Sequence, residues 1–170
     1  KMATYITQFT PANSPTFASR GFGYIGLTAY ESIVPGYPSH RSMVGQLNGL
    51  EQLPQPDMGV SYNWILSLNA AQASILKDIY LQTSDENKQK IDSLESQIYL
   101  SFSKNLPNVS VAQHSVNYGK SVAKAIYEWS KSDGGHRGYL KNFDKDLQHP
   151  ERPGSWKPPL FAQSFSHHPL

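Results

Sequence analysis

The chain has 170 residues, which is enough for one domain with one core, and its net charge of +2 comes without a run of Lys or Arg. That charge pattern excludes the clustered basic surface that nucleic-acid binding requires, so no nucleic-acid partner is expected. The chain has no cysteine, which excludes disulfides, thiolate metal sites and a cysteine nucleophile. No stretch approaches the roughly 20 apolar residues of a membrane-spanning helix.

The first thirteen residues are predicted to form an N-terminal arm, in which residues 4–7 either pair as a short strand or pack against the domain. Ser14-Pro15 predicts the start of a helix, with Ser as the N-cap and Pro at the first helical position. This helix should run to about Val34, because Pro35 cannot continue it. The residues on its predicted buried side are Phe17, Tyr24, Ile25, Thr28 and Ile33.

Three glycines interrupt this first helix, at Gly21, Gly23 and Gly26. Each costs about 1 kcal/mol relative to Ala in a helix interior. Three such costs within six residues predict that the backbone of another element approaches closely there. Gly23 and Gly26, three residues apart, are the predicted contact.

A turn and a short second helix are predicted next. Pro35-Gly36-Tyr37-Pro38 is a rigid turn, after which Ser39 or Ser42 should cap a short helix ending near Leu50. Residues 52–59, which are rich in proline, are predicted to be a surface loop.

Three longer helices follow, over residues 61–82, 85–104 and 110–131, and Ser132-Asp133-Gly134-Gly135 is predicted to stop the last of them. The fold class is therefore all-α, with four to five helices in a bundle-like array. The predicted helical domain covers residues 14–135, and residues 136–170 form an irregular strap or linker that is rich in Pro and Gly. The apolar positions at helical spacing are Trp64, Ile65, Leu68, Ala71, Ile75, Leu76, Ile79, Ile91, Leu94, Ile98, Phe102, Val116, Val122, Ala123, Ile126 and Tyr127.

Side chains capable of acid-base chemistry or metal binding are scattered along the chain. Glu31 and Glu128 lie on different predicted helices and would form an acid-base pair or a metal site only if they faced each other. Neither belongs to a Glu-x-x-His pattern, so solvated or ion-paired carboxylates are the favoured interpretation. The six histidines include no pair at i, i+4 on a helix. They are His40, His114, His136, His149, His167 and His168. His167-His168, in the irregular tail, are either adventitious metal ligands or simply exposed, and the second interpretation is favoured, so no metal site is assigned.

One tripeptide, Asn108-Val109-Ser110, matches the N-glycosylation pattern. Short patterns of this kind arise often by chance, and Ser110 is also the predicted N-cap of the last long helix.

Residues 21–50 provide the most specific family signal. They read GFGYIGLTAYESIVPGYPSHRSMVGQLNGL, and residues 153–159 read PGSWKPP. Both segments resemble the N-terminal helical region of bacterial proteins in the vanadium-dependent haloperoxidase and PAP2-type acid phosphatase superfamily. The resemblance implies an exported protein, periplasmic or extracellular, although no signal peptide is recognisable in the sequence given. It also implies that this region packs against a catalytic half whose substrates are phosphate esters, or halide and peroxide with bound vanadate.

Enzymes of this superfamily are known for three motifs that cradle phosphate or vanadate: Lys-x6-Arg-Pro, Pro-Ser-Gly-His and Ser-Arg-x5-His-x3-Asp. Here Lys145 and Arg152-Pro153 fit the first by spacing, and Pro38-Ser39-His40 resembles the second without its Gly. Their order is the reverse of the family order, and the third motif is absent. The resemblance therefore implies a truncated region that is inactive on its own, with no catalytic residue assigned and no cofactor held.

Two other functions stay open from the sequence. The chain is alternatively a self-standing helical module that binds a protein partner or a second copy of itself, with Leu160, Phe161 and Phe165 as candidate contacts. The third interpretation is a small phosphatase that uses Lys145 and Arg152.

Overall fold

The computed structural model of the chain describes residues 1–141 and 152–155, and these residues form helices and turns without any strand. The prediction of an all-α fold with four to five helices is confirmed. Short 3-10 turns occur at Val34–Gly36, Lys131–Asp133 and Gly138–Leu140. The five α-helices are α1 (Met2–Phe9), α2 (Pro15–Glu31), α3 (Trp64–Ile79), α4 (Asp85–Ser103) and α5 (Val109–Ser130).

Side-chain caps define where the four longer helices begin. The Ser14 hydroxyl accepts a hydrogen bond from the Phe17 amide at 3.3 Å, and Ser84 caps α4 in the same way. Asn63 caps α3, and the Asn108 side chain accepts from the Ser110 amide at 3.0 Å to cap α5. The prediction of Ser110 as that cap was wrong, because an Asx side chain in extended backbone lies directly before the helix.

Helix α3 is central and packs against α2, α4 and α5. Its buried Ala71, Ile75 and Ile79 form the main core with residues of α2 and α5. A second cluster joins Leu50 and Leu53 of the preceding loop to Tyr118, Val122 and Ile126 of α5. Ile65 and Phe102, although they belong to the predicted apolar pattern, are 46% and 41% exposed.

The backbone approach predicted at Gly23 and Gly26 of α2 was wrong, although Gly21 does lie close to the Tyr80 side chain, whose hydroxyl is 2.8 Å from where a Cβ would lie. Gly23 and Gly26 face open space, with nothing within 4 Å of where a Cβ would lie. The close approach occurs at Gly119 of α5, whose missing Cβ would collide with the backbone of Ser67 on α3. Gly36 similarly makes room for the indole of Trp64.

The first residues form a helix rather than a strand. Ile6 of α1 is completely buried in the main core, and the hydroxyls of Thr7 and Tyr80 are 2.7 Å apart. The Thr10 hydroxyl donates to that of Thr83 at 2.8 Å. Helix α1 is therefore attached to the connection between α3 and α4. Within the described residues, no helix is both long enough and apolar enough to cross a membrane.

Candidate functional site

A buried carboxylate organises the segment over residues 37–50, which we call the Glu31 loop. The Glu31 side chain lies at the end of α2 and is 3% exposed. One oxygen accepts from the Met43 amide at 2.7 Å, and the other accepts from the Ser42 hydroxyl at 2.8 Å. Burial of a carboxylate is costly unless such hydrogen bonds satisfy it. Glu31 therefore has a structural role that the sequence analysis missed.

The same contacts explain why the predicted helix ending near Leu50 was wrong. The Ser42 hydroxyl accepts from the Val44 amide at 3.1 Å, which favours a turn. Gly45 and Gly49 adopt φ values of +75° and +74°, in the left-handed region that an α-helix does not use. Residues 37–50 consequently form a series of turns.

Further anchors hold the Glu31 loop against the helices. The Tyr30 hydroxyl donates to the Arg41 carbonyl at 2.7 Å, and the Trp129 indole N–H donates to the Asn48 carbonyl at 3.3 Å. Trp129 also packs edge-on against Tyr24, with ring centroids 5.4 Å apart. The loop is therefore held from α2 at one end and from α5 at the other.

Aromatic side chains pack beside this loop. Tyr62 stacks on Trp64 with ring centroids 5.3 Å apart, and Tyr118 contacts both rings edge-on. The Tyr118 hydroxyl donates to the backbone carbonyl of Glu31 at 3.4 Å. Burial raises the pKa of Tyr118 to about 12, and the negative charge of Glu31 acts in the same direction.

The two carboxylates considered as an acid-base pair have separate partners. Glu128 is exposed and pairs with Lys131 at 2.6 Å, as the ion-pair interpretation predicted. The oxygens of Glu31 are instead occupied by its loop. The contacts of Glu31 and Glu128 thus give no support to shared chemistry.

The described histidines lie apart from one another. His40 bonds the adjacent Ser39 in the exposed turn at 3.0 Å, His114 lies beside Tyr62, and His136 packs edge-on against Tyr127. Burial lowers the pKa of His136, and the nearby cations add to that effect. No group of three metal-ligating side chains occurs in residues 1–141 and 152–155. His149, His167 and His168 lie outside the described residues.

The possible anion-binding pair is only partly within the structure. Arg152 is exposed, and its carbonyl accepts from the Ser155 amide at 3.0 Å. Lys145 lies outside the described residues, as do the candidate dimer contacts Leu160, Phe161 and Phe165. The small-phosphatase interpretation stays a prediction.

A charged cluster connects the start of α2 to the end of α5. Arg20 bonds Asp133 at 2.7 Å and also donates to the Ser130 carbonyl at 2.5 Å. Asp133 accepts further hydrogen bonds from the Tyr24 hydroxyl at 2.7 Å and the Gly135 amide at 2.8 Å. Burial alone would raise the pKa of Asp133, but these hydrogen bonds outweigh it and lower that pKa. The arrangement is that of a structural ion pair, with every carboxylate oxygen engaged.

Comparison with known proteins places this fold in a family context. The chain is similar to a bacterial vanadium-dependent iodoperoxidase of known structure, with a TM-score of 0.65 and 27% sequence identity over 91% of the chain. It spans 36% of the length of that protein. No family model and no curated protein matches the chain. The resemblance of this helical region to the vanadium-dependent haloperoxidases, expected from residues 21–50, is confirmed.

Proposed function

We propose that the chain is a helical scaffold region of a vanadium-haloperoxidase-like protein and does not catalyse a reaction on its own. The observation that carries the proposal is the similarity over 91% of this chain and 36% of the iodoperoxidase. The lack of the Ser-Arg-x5-His-x3-Asp motif in the sequence given also supports the proposal that this region is inactive on its own.

The activity named for the relative favours one chemistry for the parent protein. That relative is an iodoperoxidase, so halide oxidation by peroxide with bound vanadate is preferred over hydrolysis of a phosphate ester. Export of the protein is part of the same proposal and rests on the family resemblance alone.

The Glu31 loop is the part of the scaffold best suited to present a fixed surface. Tyr37 is 50% exposed, and His40 and Arg41 are exposed beside it. Hydrogen bonds from α2 and α5 fix the backbone of this loop at several points. A surface that is already ordered loses less conformational entropy when a neighbouring domain packs on it.

The direct test measures two activities on the purified 170-residue chain. We expect no vanadate-dependent oxidation of iodide or bromide by peroxide, and no hydrolysis of an aryl phosphate, above the buffer rate. A characterised haloperoxidase and an acid phosphatase serve as positive controls. Phosphatase turnover that Lys145→Ala or Arg152→Ala abolishes would contradict the scaffold proposal and favour the small phosphatase.

A second candidate function is a self-standing interaction module. Three large apolar side chains are exposed around the connection between α4 and α5: Leu100 at 58%, Phe102 at 41% and Val109 at 80%. Self-association would remove these exposed apolar side chains from water. Light scattering would show a dimer that Phe102→Ser or Val109→Ser dissociates. A 19 kDa monomer would exclude self-association, whether through these side chains or through residues 158–170.

A further inference from the structure

A polar pocket of about 290 Å³ opens beside Tyr62, between the loop before α3 and the first half of α5. We call it the Tyr62 pocket. Its lining includes Asp57, Tyr62, His114, Asn117 and Tyr118. Its volume is just below the range of about 300–1,000 Å³ that is usual for ligand sites, so a suitable ligand is small.

The aromatic wall of the Tyr62 pocket is fixed in advance. Tyr62 is held between Trp64, on which it stacks, and Tyr118, whose ring lies 5.7 Å away. The Asp57 amide donates to the Tyr62 hydroxyl oxygen at 2.9 Å, which ties the loop carrying Asp57 to the same ring. The Tyr62 ring and the loop that carries Asp57 are therefore positioned relative to each other without a ligand.

Two polar side chains of the pocket, Asp57 and His114, make no hydrogen bond or ion pair among the described residues, and a third, Asn117, has unused donors. Neither the Asp57 carboxylate nor the His114 imidazole makes a hydrogen bond or ion pair there. Asn117 accepts from the Gln113 side chain at 2.8 Å, and its own amide N–H groups remain available. Asp57 and Asn117 are exposed and His114 is half-buried, so one carboxylate, one imidazole and one amide donor are open to solvent and to a ligand.

The charge of the lining selects the kind of ligand. Asp57 is the one residue with a formal charge among those that line the pocket, and no Lys or Arg lines it. A second carboxylate, that of Glu31, lies beyond Tyr118 and acts electrostatically on its hydroxyl. The formal charge of the lining is therefore negative through Asp57, which attracts a cation and repels an anion.

We propose that the Tyr62 pocket binds a small amino alcohol or amino sugar. The ammonium group would donate charge-assisted hydrogen bonds to the Asp57 carboxylate. Hydroxyl groups would pair with the His114 ring and the Asn117 amide, and the tyrosine rings would cover the apolar side of the ligand. This site is separate from the anion chemistry of the parent family and does not depend on the scaffold proposal.

Three hexoses of similar size and different charge test the proposal: glucosamine, glucose and glucuronate. Each is titrated into the full chain at pH 7, where most of the glucosamine amine is protonated, and the backbone amide shifts are followed by NMR. We expect saturable shifts around Tyr62, His114 and Asn117 with glucosamine, weaker binding of glucose, and no response to glucuronate. Equal binding of glucose and glucosamine, or no shift at these residues with glucosamine, would overturn the proposal.

Two variants that each remove one negative charge distinguish binding in the Tyr62 pocket from a general electrostatic effect. Asp57→Asn removes the proposed carboxylate, and Glu51→Gln removes one negative charge from the same loop outside the pocket. We expect Asp57→Asn to weaken glucosamine binding about tenfold or more, as loss of a charge-assisted hydrogen bond would, and Glu51→Gln to leave it unchanged. Equal weakening by both variants would show a nonspecific charge effect and refute the site. Circular dichroism verifies that both variants are folded.

Discussion

Gly119 of α5 lies against the backbone carbonyl of Ser67 on α3, at a separation that leaves no room for a Cβ atom. Ser67 is fully buried, and its hydroxyl donates to the Ser32 carbonyl just after α2 at 2.7 Å. This one position therefore fixes the spacing of α3 and α5 while Ser67 also contacts the end of α2. Contact through backbone atoms cannot be relieved by a change of rotamer.

Gly119→Ala should consequently destabilise the fold, by about 1–3 kcal/mol, because α5 must move away from α3 to accommodate the methyl group. Gly23→Ala is the matched control, since nothing lies near its Cβ position on α2. The control should stabilise the chain by about 0.5–1 kcal/mol through helix propensity. Urea denaturation of both variants measures the difference. Equal free energies of unfolding would refute the close contact.

Glu31→Ala should destabilise the fold by about 1–3 kcal/mol, because the Met43 amide would lose its acceptor in a partly buried position. Hydrogen exchange should accelerate first at Met43 and across residues 37–50. Glu128→Ala removes an exposed carboxylate and should change stability by less than about 0.5 kcal/mol. Unchanged exchange at Met43 in the Glu31 variant would show that the carboxylate does not hold the loop.

Protonation of the Asp133 carboxylate should make the fold less stable in acid. Its pKa is lowered in the folded chain from the ordinary 3.8, because hydrogen bonds from Arg20, Tyr24 and Gly135 outweigh the effect of burial. The folded state therefore binds a proton less readily than the unfolded state, and the stabilisation is lost as the pH falls below 3.8 through the folded pKa. Asp133→Asn should reduce this acid dependence of the free energy of unfolding. An unchanged pH profile would contradict the assignment.

The carboxyl group of Asp78 on α3 should have the opposite effect on how the stability of the fold depends on pH. Burial raises the pKa of its carboxyl group above 3.8, and it makes no ion pair within the described residues. Ionisation of Asp78 therefore costs stability as the pH rises above 3.8. Asp78→Asn should be more stable than the parent chain at neutral pH, and this advantage should disappear in strong acid. A variant less stable at neutral pH would contradict this reasoning.

The local features of the fold could be predicted from the sequence. Ser14-Pro15 and Ser84 begin helices where expected, since a cap depends only on residues three or four positions away. The Glu31 loop could not be predicted in this way, because its turns depend on a carboxylate in the preceding helix. The positions of glycines in the sequence likewise show where helix formation costs free energy, but they do not show which glycine another helix contacts. Gly119 was therefore missed and Gly23 was wrongly chosen.

The candidate sites also differ in how much of them could be predicted from the sequence. Family resemblance was readable in residues 21–50, because motif order and spacing are properties of the sequence. The Tyr62 pocket could not be read from the sequence. Asp57 and His114 are far apart in the chain and line one pocket only when the loop before α3 packs on α5. The Tyr62 and Tyr118 ring contact that joins them requires the folded chain.

The Arg20 and Asp133 pair also has a consequence for how the chain folds during synthesis. Its partners are separated by 113 positions, and Thr7 and Tyr80 by 73. A nascent chain therefore cannot complete the contacts of α2 with α5 and Asp133 until that part of the chain has emerged from the ribosome, although α3 can cover Phe17 and Ile25 earlier. Contacts between such distant residues slow folding, because a long loop must close before they form. The packing of the N-terminal helices is therefore complete only after α5 and Asp133 have been made, and incompletely packed chains are prone to aggregate.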